Sequence, residues 1–293
     1  MSTAEKSVGF TLRGGEAADA ERLGTICYEA FSTIAREHNF PSDFNAPEHG
    51  IGLISMLLGR PDAYSVVAVD ENGRPVGSNF LWVGDSVAGV GPITVDPNVQ
   101  NSSIGRALMT DALRYADEKG FLSVRLVQSA YHNRSLSLYT KLGFDAVEPL
   151  SCVQGAPLNL EIEGHRTRKM TTEDIEAADA LAFRVHGHTR HSEAAAAVQQ
   201  GTATVVTREG RISGYSTLVG FFGHAVGESN EDIKALIAAA ESFPGAGFLL
   251  PTRNAELLRW CLNHGLRIVQ PMTLMSRGLY QEPRGTFLPS ILF

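Results

Sequence analysis

The stretch that decides the fold is Val90–Ala116, which reads VGPITVDPNVQNSSIGRALMTDALRYA. Its first six residues have the composition of a strand, and Asp96-Pro97 ends that strand. A short polar loop follows, and apolar residues at helical spacing then predict a helix that starts near Ile104 and Gly105. A helix that begins after such a loop presents unpaired N–H groups and a partial positive charge, and a glycine there lets the backbone approach an anion closely. The stretch therefore predicts a strand–loop–helix unit that binds an anion, although many strand-to-helix connections share this pattern.

A second motif follows at a fixed distance. Residues Asn133–Phe144 read NRSLSLYTKLGF and come directly after the strand-like run Leu126–Ala130. This pattern predicts a helix that carries Tyr139 and ends at the Gly143 turn.

Two parts of the chain look like copies of each other. An arginine is followed six residues later by an aspartate at Arg13 and again at Arg168, each time between a strand-like and a helical pattern. A predicted hairpin comes next in each copy, over Val66–Asn79 with an Asn-Gly turn and over Thr204–Thr217. Several matches in the same order indicate a duplicated domain.

The ends of the two copies also correspond. Tyr139 lies six residues after Asn133, and Trp260 lies six residues after Asn254, with a glycine further on in both cases. The spacing predicts that Trp260 takes the place of the tyrosine. A turn-rich linker at 154–158 separates the copies, and we expect domains at residues 1–157 and 158–293.

The two motifs together resemble the GNAT superfamily of N-acetyltransferases. The Gln100–Gly105 region resembles the family's acyl-CoA pyrophosphate loop, and the tyrosine helix resembles its "Tyr-x-Lys-Leu-Gly-Phe" helix and turn. The resemblance implies an α/β fold with an α+β mixed sheet, arranged as two tandem GNAT-like acyl-CoA N-acyltransferase domains. It also implies acetyl-CoA as co-substrate. The strand residues Ile93, Thr94 and Val95 would pair with its pantetheine, and the helix residues Asn133 and Ser135 would also contact it. The pyrophosphate would be held by the loop residues Gln100, Asn101, Ser102, Ser103, Ile104, Gly105 and Arg106.

The family resemblance also assigns a catalytic role to Tyr139, as the donor of a proton to the leaving thiolate. A thiol with a pKa of about 8.5 and a phenol of about 10 are close enough for that transfer. Two loop positions depart from the family pattern, because Ser103 and Asn101 stand where glycine is common. Serine enters positive φ less readily than asparagine, so the loop is expected to have a slightly different shape. Either Asn133 or His132 fits the position that meets the cofactor.

The second copy does not repeat this chemistry. Its counterpart of the phosphate loop ends in the acidic run Glu228–Asp232, whose carboxylates would repel a pyrophosphate and are expected to open a helix. The indole of Trp260 cannot act as a general acid near neutral pH. We therefore predict a degenerate domain that is structural or forms one wall of the acceptor pocket.

Composition excludes several classes of function. The 25 lysines and arginines against 32 aspartates and glutamates give a formal net charge of −7, so a general nucleic-acid binder is not expected. Neither a span of about 18 apolar residues nor a secretion signal is present, so a cytoplasmic protein with no membrane partner is expected. The three cysteines are read as buried thiols. The His186–His191 run does not have zinc-ligand spacing, and no metal is expected.

The sequence leaves two functions open. The first is an N-acetyltransferase that moves the acetyl group of acetyl-CoA to the amine of a small molecule by direct attack in a ternary complex. The alternative is a non-catalytic acyl-CoA-binding sensor or regulatory module. The acceptor, the general base and the choice between monomer and homodimer are not decided, and Glu37 and His38 are more typical of plain surface than of a base.

Overall fold

The structure is a computed structural model that describes residues 9–99 and 103–293. The chain divides into two compact units, one made of Met1–Gly84 with Ala88–Val124 and the other of Asp85–Val87 with Arg125–Phe293. Nowhere in the described ranges does a helix have the length and apolar character needed to cross a bilayer.

The first unit combines an antiparallel sheet with three described helices. The strands are β1 (Phe10–Gly14), β2 (Ala63–Asp70), β3 (Pro75–Trp82), β4 (Ala88–Val90) and β5 (Thr94–Val95), and the helices are α1 (Ala20–Glu37), α2 (Pro47–Leu58) and α3 (Ile104–Glu118). Strand β2 lies between β1 and β3, and β3 also pairs with β4 and β5. The predicted Asn-Gly hairpin is confirmed, because Gly73 takes a φ of 76° and its N–H donates to the Asp70 carbonyl at 2.9 Å.

Helical periodicity places the core of this unit. Leu23, Ile26 and Cys27 form a fully buried face on α1 and pack with Phe80 of β3. Leu108 of α3 packs with residues of β2 on another part of the sheet. Each buried aliphatic side chain contributes about 1.5–3 kcal/mol to folding, so these two faces fix both helices on the sheet.

The second unit contains two sheets. Its elements are β6 (Ser123–Ser129, from Arg125 onward), β7 (Asp145–Gln154), β8 (Arg166–Lys169), β9 (Thr204–Arg208), β10 (Arg211–Ser216), β11 (Ala225–Gly227), β12 (Phe248–Pro251), β13 (Arg267–Gly278) and β14 (Thr286–Leu288), with α4 (Asn133–Lys141), α5 (Ile175–His186), α6 (His191–Gln200), α7 (Asn230–Ala239) and α8 (Ala255–Asn263). One sheet has the order β6-β13-β7-β12, and the other has the order β14-β11-β10-β9-β8. Strand β7 pairs antiparallel with both β12 and β13, which joins residues from early and late in the chain. The domain boundary at 157 and 158 stays a prediction, because the compact units follow packing and not the repeat.

Apart from β5 and the short 3-10 turn after it, the order of elements in residues 10–154 recurs in residues 166–278. Both copies also contain the same ion pair. The Arg13 guanidinium donates two hydrogen bonds of 2.7 Å to Asp19, and Arg168 donates bonds of 2.6 and 2.7 Å to Asp174. The Arg168 hydrogen bonds hold the pKa of Asp174 down at about 2. In each copy the aspartate also accepts a backbone N–H at the turn that opens the following helix, so the pair fastens a strand end to a helix start.

Two details of the sequence interpretation are resolved by the fold. All three cysteines are buried, as expected. The predicted strand Val90–Val95 is not continuous, because β4 ends at Val90 and β5 begins at Thr94. Pro92 has no N–H to give to a ladder, and Gly91 has a φ of 143°, so the chain bulges between the two strands.

Candidate functional site

The bulge sets the direction of the backbone in β5. The pairing of β3 with β4 and with β5 differs in register by one residue, which is the mark of a β-bulge. Beyond it, the Asp96 N–H donates to the Val76 carbonyl at 2.9 Å. Since backbone groups alternate in direction along an antiparallel strand, those of Thr94 face β3 and those of Ile93 and Val95 face the opposite edge. That edge is where the sequence predicts pairing with an extended ligand.

Asp96 starts the loop that follows β5. Its buried carboxylate accepts hydrogen bonds from the Asn98 backbone N–H and side-chain amide, both at 2.9 Å, and from the Arg22 guanidinium of α1. Sequence reasoning missed Arg22, because its partner lies 74 residues away and no local pattern connects them. The three groups tie the start of the loop to the first helix.

The predicted pyrophosphate loop is only partly described. Gln100, Asn101 and Ser102 lie outside the described residues. Ser103, the residue before α3, has φ 66° and ψ 0°, which is the left-handed conformation. The position therefore keeps the backbone conformation that glycine adopts without strain, although serine enters it less readily.

The left-handed backbone at Ser103 gives a testable result. Ser103→Val should lower the free energy of unfolding by about 1–2 kcal/mol, because a β-branched residue is strained at positive φ. The free energy of unfolding of Ser103→Gly should lie within about 1 kcal/mol of the wild-type value. Relief of backbone strain offsets the extra entropy that glycine has in the unfolded chain. Urea unfolding of the three proteins measures both changes. Equal stability of the valine variant would show that position 103 is not left-handed.

The first turn of α3 has the properties of an anion site. Ile104, Gly105 and Arg106 are its first three residues, and none of them is acidic. Ser103 makes no side-chain capping bond, and the helix ladder begins with the Ala107 N–H donating to the Ser103 carbonyl at 3.0 Å. The N–H groups before that bond point out of the helix end with a partial positive charge behind them.

The second group of predicted residues lies on α4, in the second unit. His132 is the residue that precedes the helix, and Asn133 is its first helical residue. The Ser135 hydroxyl lies 2.7 Å from Nδ1 of His132 and also hydrogen-bonds to Tyr139. The structure thus places Asn133, Ser135 and Tyr139 on one short helix.

Tyr139 is buried and protonated. Only 7% of the residue is exposed, and its ring packs edge-on against Phe144 with centroids 6.1 Å apart. Burial raises the pKa of Tyr139 to about 12, and the hydrogen bond from Ser135 opposes part of that rise. A phenol in this environment keeps its proton throughout the physiological pH range.

Comparisons with known proteins agree with this arrangement. Residues 25–144 match the sequence model of the acetyltransferase (GNAT) family. An uncharacterised N-acetyltransferase of Methanocaldococcus jannaschii is 32% identical over 86 residues. The matched part is 27% of this chain and only 38% of that relative. Residues 25–144 are therefore similar in sequence to the acetyltransferase domain of the GNAT family.

Solved structures extend the fold similarity over most of the chain. A candidate acetyltransferase from Pyrococcus horikoshii is similar over 95% of this chain and 94% of its own, with a TM-score of 0.72 and 19% identity. A GCN5-related N-acetyltransferase from Sphaerobacter thermophilus is similar over 93% of this chain and 96% of its own, with a TM-score of 0.57 and 15% identity. The mixed α/β fold is therefore that of GNAT proteins.

The counterpart of Tyr139 is not Trp260, and this corrects the sequence interpretation. The Phe144 N–H donates to the Tyr139 carbonyl at 3.1 Å, and in the later copy the Leu266 N–H donates to the Cys261 carbonyl, also at 3.1 Å. Both residues lie seventh in their helices. Counting from the asparagine gave the wrong partner, because Asn254 precedes α8 whereas Asn133 is already inside α4. Burial raises the pKa of the Cys261 thiol to about 12, so it is unreactive.

The N-terminus of α7, which corresponds to that of α3, is capped by side chains of the chain itself. Asp232 is fully buried in the first turn of α7 and accepts from the Ser229 N–H at 2.9 Å and from the Ser229 hydroxyl at 2.6 Å. It also accepts from the Ser213 hydroxyl at 2.5 Å. The prediction that the acidic run opens a helix is confirmed, and its carboxylate occupies the position that an anion would need.

The other residues considered from the sequence are the histidines of the 186–191 run and the pair Glu37 and His38. His186 and His188 are buried, and burial lowers the pKa of both, to about 3 for His188. The described ranges contain no group of three or more side chains arranged to hold a metal. Glu37 is the exposed last residue of α1, and Nδ1 of His38 lies 2.9 Å from the Ile34 carbonyl at the end of that helix.

Proposed function

We propose that the chain is an N-acetyltransferase that moves the acetyl group of acetyl-CoA to the amine of a small molecule, by direct attack in a ternary complex. The observation that carries the proposal is the open first turn of α3 inside the GNAT-like region, residues 25–144. It follows the bulged strand and contains no acidic residue, whereas the equivalent turn of α7 holds a buried aspartate. Acetyl-CoA supplies an activated thioester, and the chain supplies its binding and the movement of protons.

Two backbone segments would hold the cofactor. The edge formed by Ile93 and Val95 would pair with the pantetheine amides, and one of its N–H groups would stabilise negative charge on the thioester oxygen. The loop 100–103 and the first turn of α3 would hold the pyrophosphate through N–H groups and the helix dipole. Asn133 and Ser135 would contact the cofactor from α4.

Tyr139 would protonate the leaving thiolate. The attacking amine releases one proton and the departing sulfur takes one up, so the proton balance closes. With a pKa of about 12, the phenol is a weaker acid than a thiol of about 8.5, and complete transfer to a free thiolate would be uphill by about 5 kcal/mol. We therefore assign Tyr139 a hydrogen bond to the sulfur that strengthens as negative charge develops, with the proton moving while the C–S bond breaks.

The proposal makes the later copy a second, degenerate GNAT-like domain that binds no cofactor. Titration of acetyl-CoA into the protein in a calorimeter should give one site per chain. Asp232→Asn, which removes the carboxylate from the α7 terminus, serves as a control and should leave the stoichiometry at one. Two sites per chain would contradict the assignment, and absence of any binding would remove the proposed function.

A further inference from the structure

Arg125 is a buried guanidinium in the second unit. It lies on β6, is only 6% exposed, and its Nη1 donates to Nε2 of His188 at 3.1 Å. Its Nε–H is fully buried and has no hydrogen-bond partner among the described residues. A buried N–H without an acceptor is costly, so this donor is available to a ligand.

The charge of Arg125 is not balanced by a carboxylate. Within 4.0 Å of its nitrogens, the part of the chain that the structure describes places none. Burial, with a smaller effect from Arg190, lowers the pKa of Arg125 to about 10, so it stays charged at neutral pH. Buried charges in proteins are normally paired, because an isolated one costs several kcal/mol.

His188 and Glu193 do not form an ion pair with Arg125. Nδ1 of His188 lies 3.1 Å from the Thr189 carbonyl and donates to it, which leaves Nε2 as a neutral acceptor for Arg125. Glu193 is already bound by Nε and Nη2 of Arg190, at 2.8 and 2.5 Å, and by His224 at 2.9 Å.

Two other carboxylates of this unit are engaged elsewhere. Asp85 accepts from the backbone N–H groups of Ser192 and Glu193 at the start of α6. Asp179 accepts from the Arg190 N–H and lies 2.7 Å from Nδ1 of His191. In the described ranges neither of these carboxylates forms an ion pair with Arg125, and the Phe293 carbonyl accepts from Nη2 of Arg190 at 3.4 Å.

Aromatic rings flank the guanidinium. Its central carbon lies 5.1 Å from the centroid of the Tyr280 ring and 5.9 Å from that of Phe293. Both residues are partly exposed. Rings over a guanidinium leave its in-plane N–H edge for a planar, bidentate partner, and a carboxylate has that shape.

We propose that Arg125 is the anchor of a binding site for a small carboxylate, with the Tyr280 and Phe293 rings as its apolar walls. The ligand would accept the buried Nε–H and an Nη N–H. The test of this site uses no acetyl-CoA, so its outcome does not depend on whether acetyl transfer occurs.

The test is a titration with sodium acetate and sodium benzoate against sodium chloride at equal ionic strength. In ¹⁵N NMR of the arginine side chains, the Arg125 Nε–Hε resonance is identified as the one that Arg125→Lys removes. Its chemical shift should change with carboxylate concentration and reach saturation, and it should not change with chloride. The melting temperature of the wild type should rise over the same concentrations. Arg125→Met should lose that rise, and Arg114→Met, an exposed arginine paired with Asp111 and Glu118, should keep it.

Each outcome bears on the proposal. A methionine variant that responds like the wild type, or an Arg125 resonance that does not move, overturns it, and the resonance decides the matter if the variant does not fold. An equal response to inorganic phosphate would overturn the choice of a carboxylate. Glycine and phenylalanine, compared with acetate and phenylpropionate, separate two sources of the same chemistry. Tighter binding of the amino acids indicates an acceptor substrate, and tighter binding of the free acids indicates a separate effector.

Discussion

Replacing Tyr139 by phenylalanine should lower kcat by about 10²- to 10⁴-fold, the usual loss when a general acid is removed. The ring, which is buried against Phe144, stays in place, so the fold and the dissociation constant for acetyl-CoA should change little. Steady-state kinetics and calorimetry measure the two quantities separately. The loss should be smaller for an acyl donor with a better leaving group, because such a thiolate needs less protonation.

A matched control separates this effect from the loss of any phenol. Tyr115→Phe removes a hydroxyl from the last turns of α3, where the ring stacks on Tyr64, and should retain full activity. Because the pKa of Tyr139 is raised to about 12, its donor is lost only as pH rises through that value. Activity should therefore show no decline from this group up to about pH 10. Full activity of Tyr139→Phe would remove the residue from the mechanism.

The second large effect is expected at the start of α3. Gly105→Val should weaken the binding of acetyl-CoA at least tenfold, because a branched side chain in the first helical turn keeps a pyrophosphate away from the N–H groups. Direct titration of acetyl-CoA into the folded variant is the measurement. An unchanged affinity would mean that α3 does not hold the pyrophosphate.

The control for this variant is Gly52→Val. Gly52 lies in α2, also a helix, and a Cβ at this position would meet nothing within 4 Å. The substitution should change helix stability only slightly, since valine is a somewhat better helix former than glycine, and should leave acetyl-CoA affinity unchanged. A comparable loss of affinity in both variants would point to a general effect on folding.

Local patterns predicted much of the fold and of the local structure around the candidate site. The hairpin at Gly73, the helix after Ser103 and the repeated Arg–Asp pairs each depend on residues close in the sequence, where turn chemistry and helical periodicity act directly. The left-handed backbone of Ser103 was not predicted, because serine enters positive φ less readily than glycine or asparagine.

The features that could not be predicted from the sequence depend on contacts between residues far apart in the chain. Arg22 meets Asp96 across 74 residues, and Arg125 meets His188 across 63. The bulge at Gly91 and Pro92 was hidden in a run with strand-like composition. Matching Trp260 to Tyr139 failed because the two helices begin one residue apart relative to their asparagines. Counting back from the turn glycines gives the correct partner, since Tyr139 lies four residues before Gly143 and Cys261 four before Gly265.

We propose that residues 25–144 carry the transfer of acetyl from acetyl-CoA to an amine. The most direct measurement incubates the purified protein with acetyl-CoA and a library of small amines, follows free thiol release, and identifies the product by mass spectrometry. We expect thiol release that depends on the amine, a product heavier by one acetyl group, and loss of both in Tyr139→Phe. Protein that binds acetyl-CoA at one site but acetylates no amine in the library would contradict it and identify an acyl-CoA sensor instead.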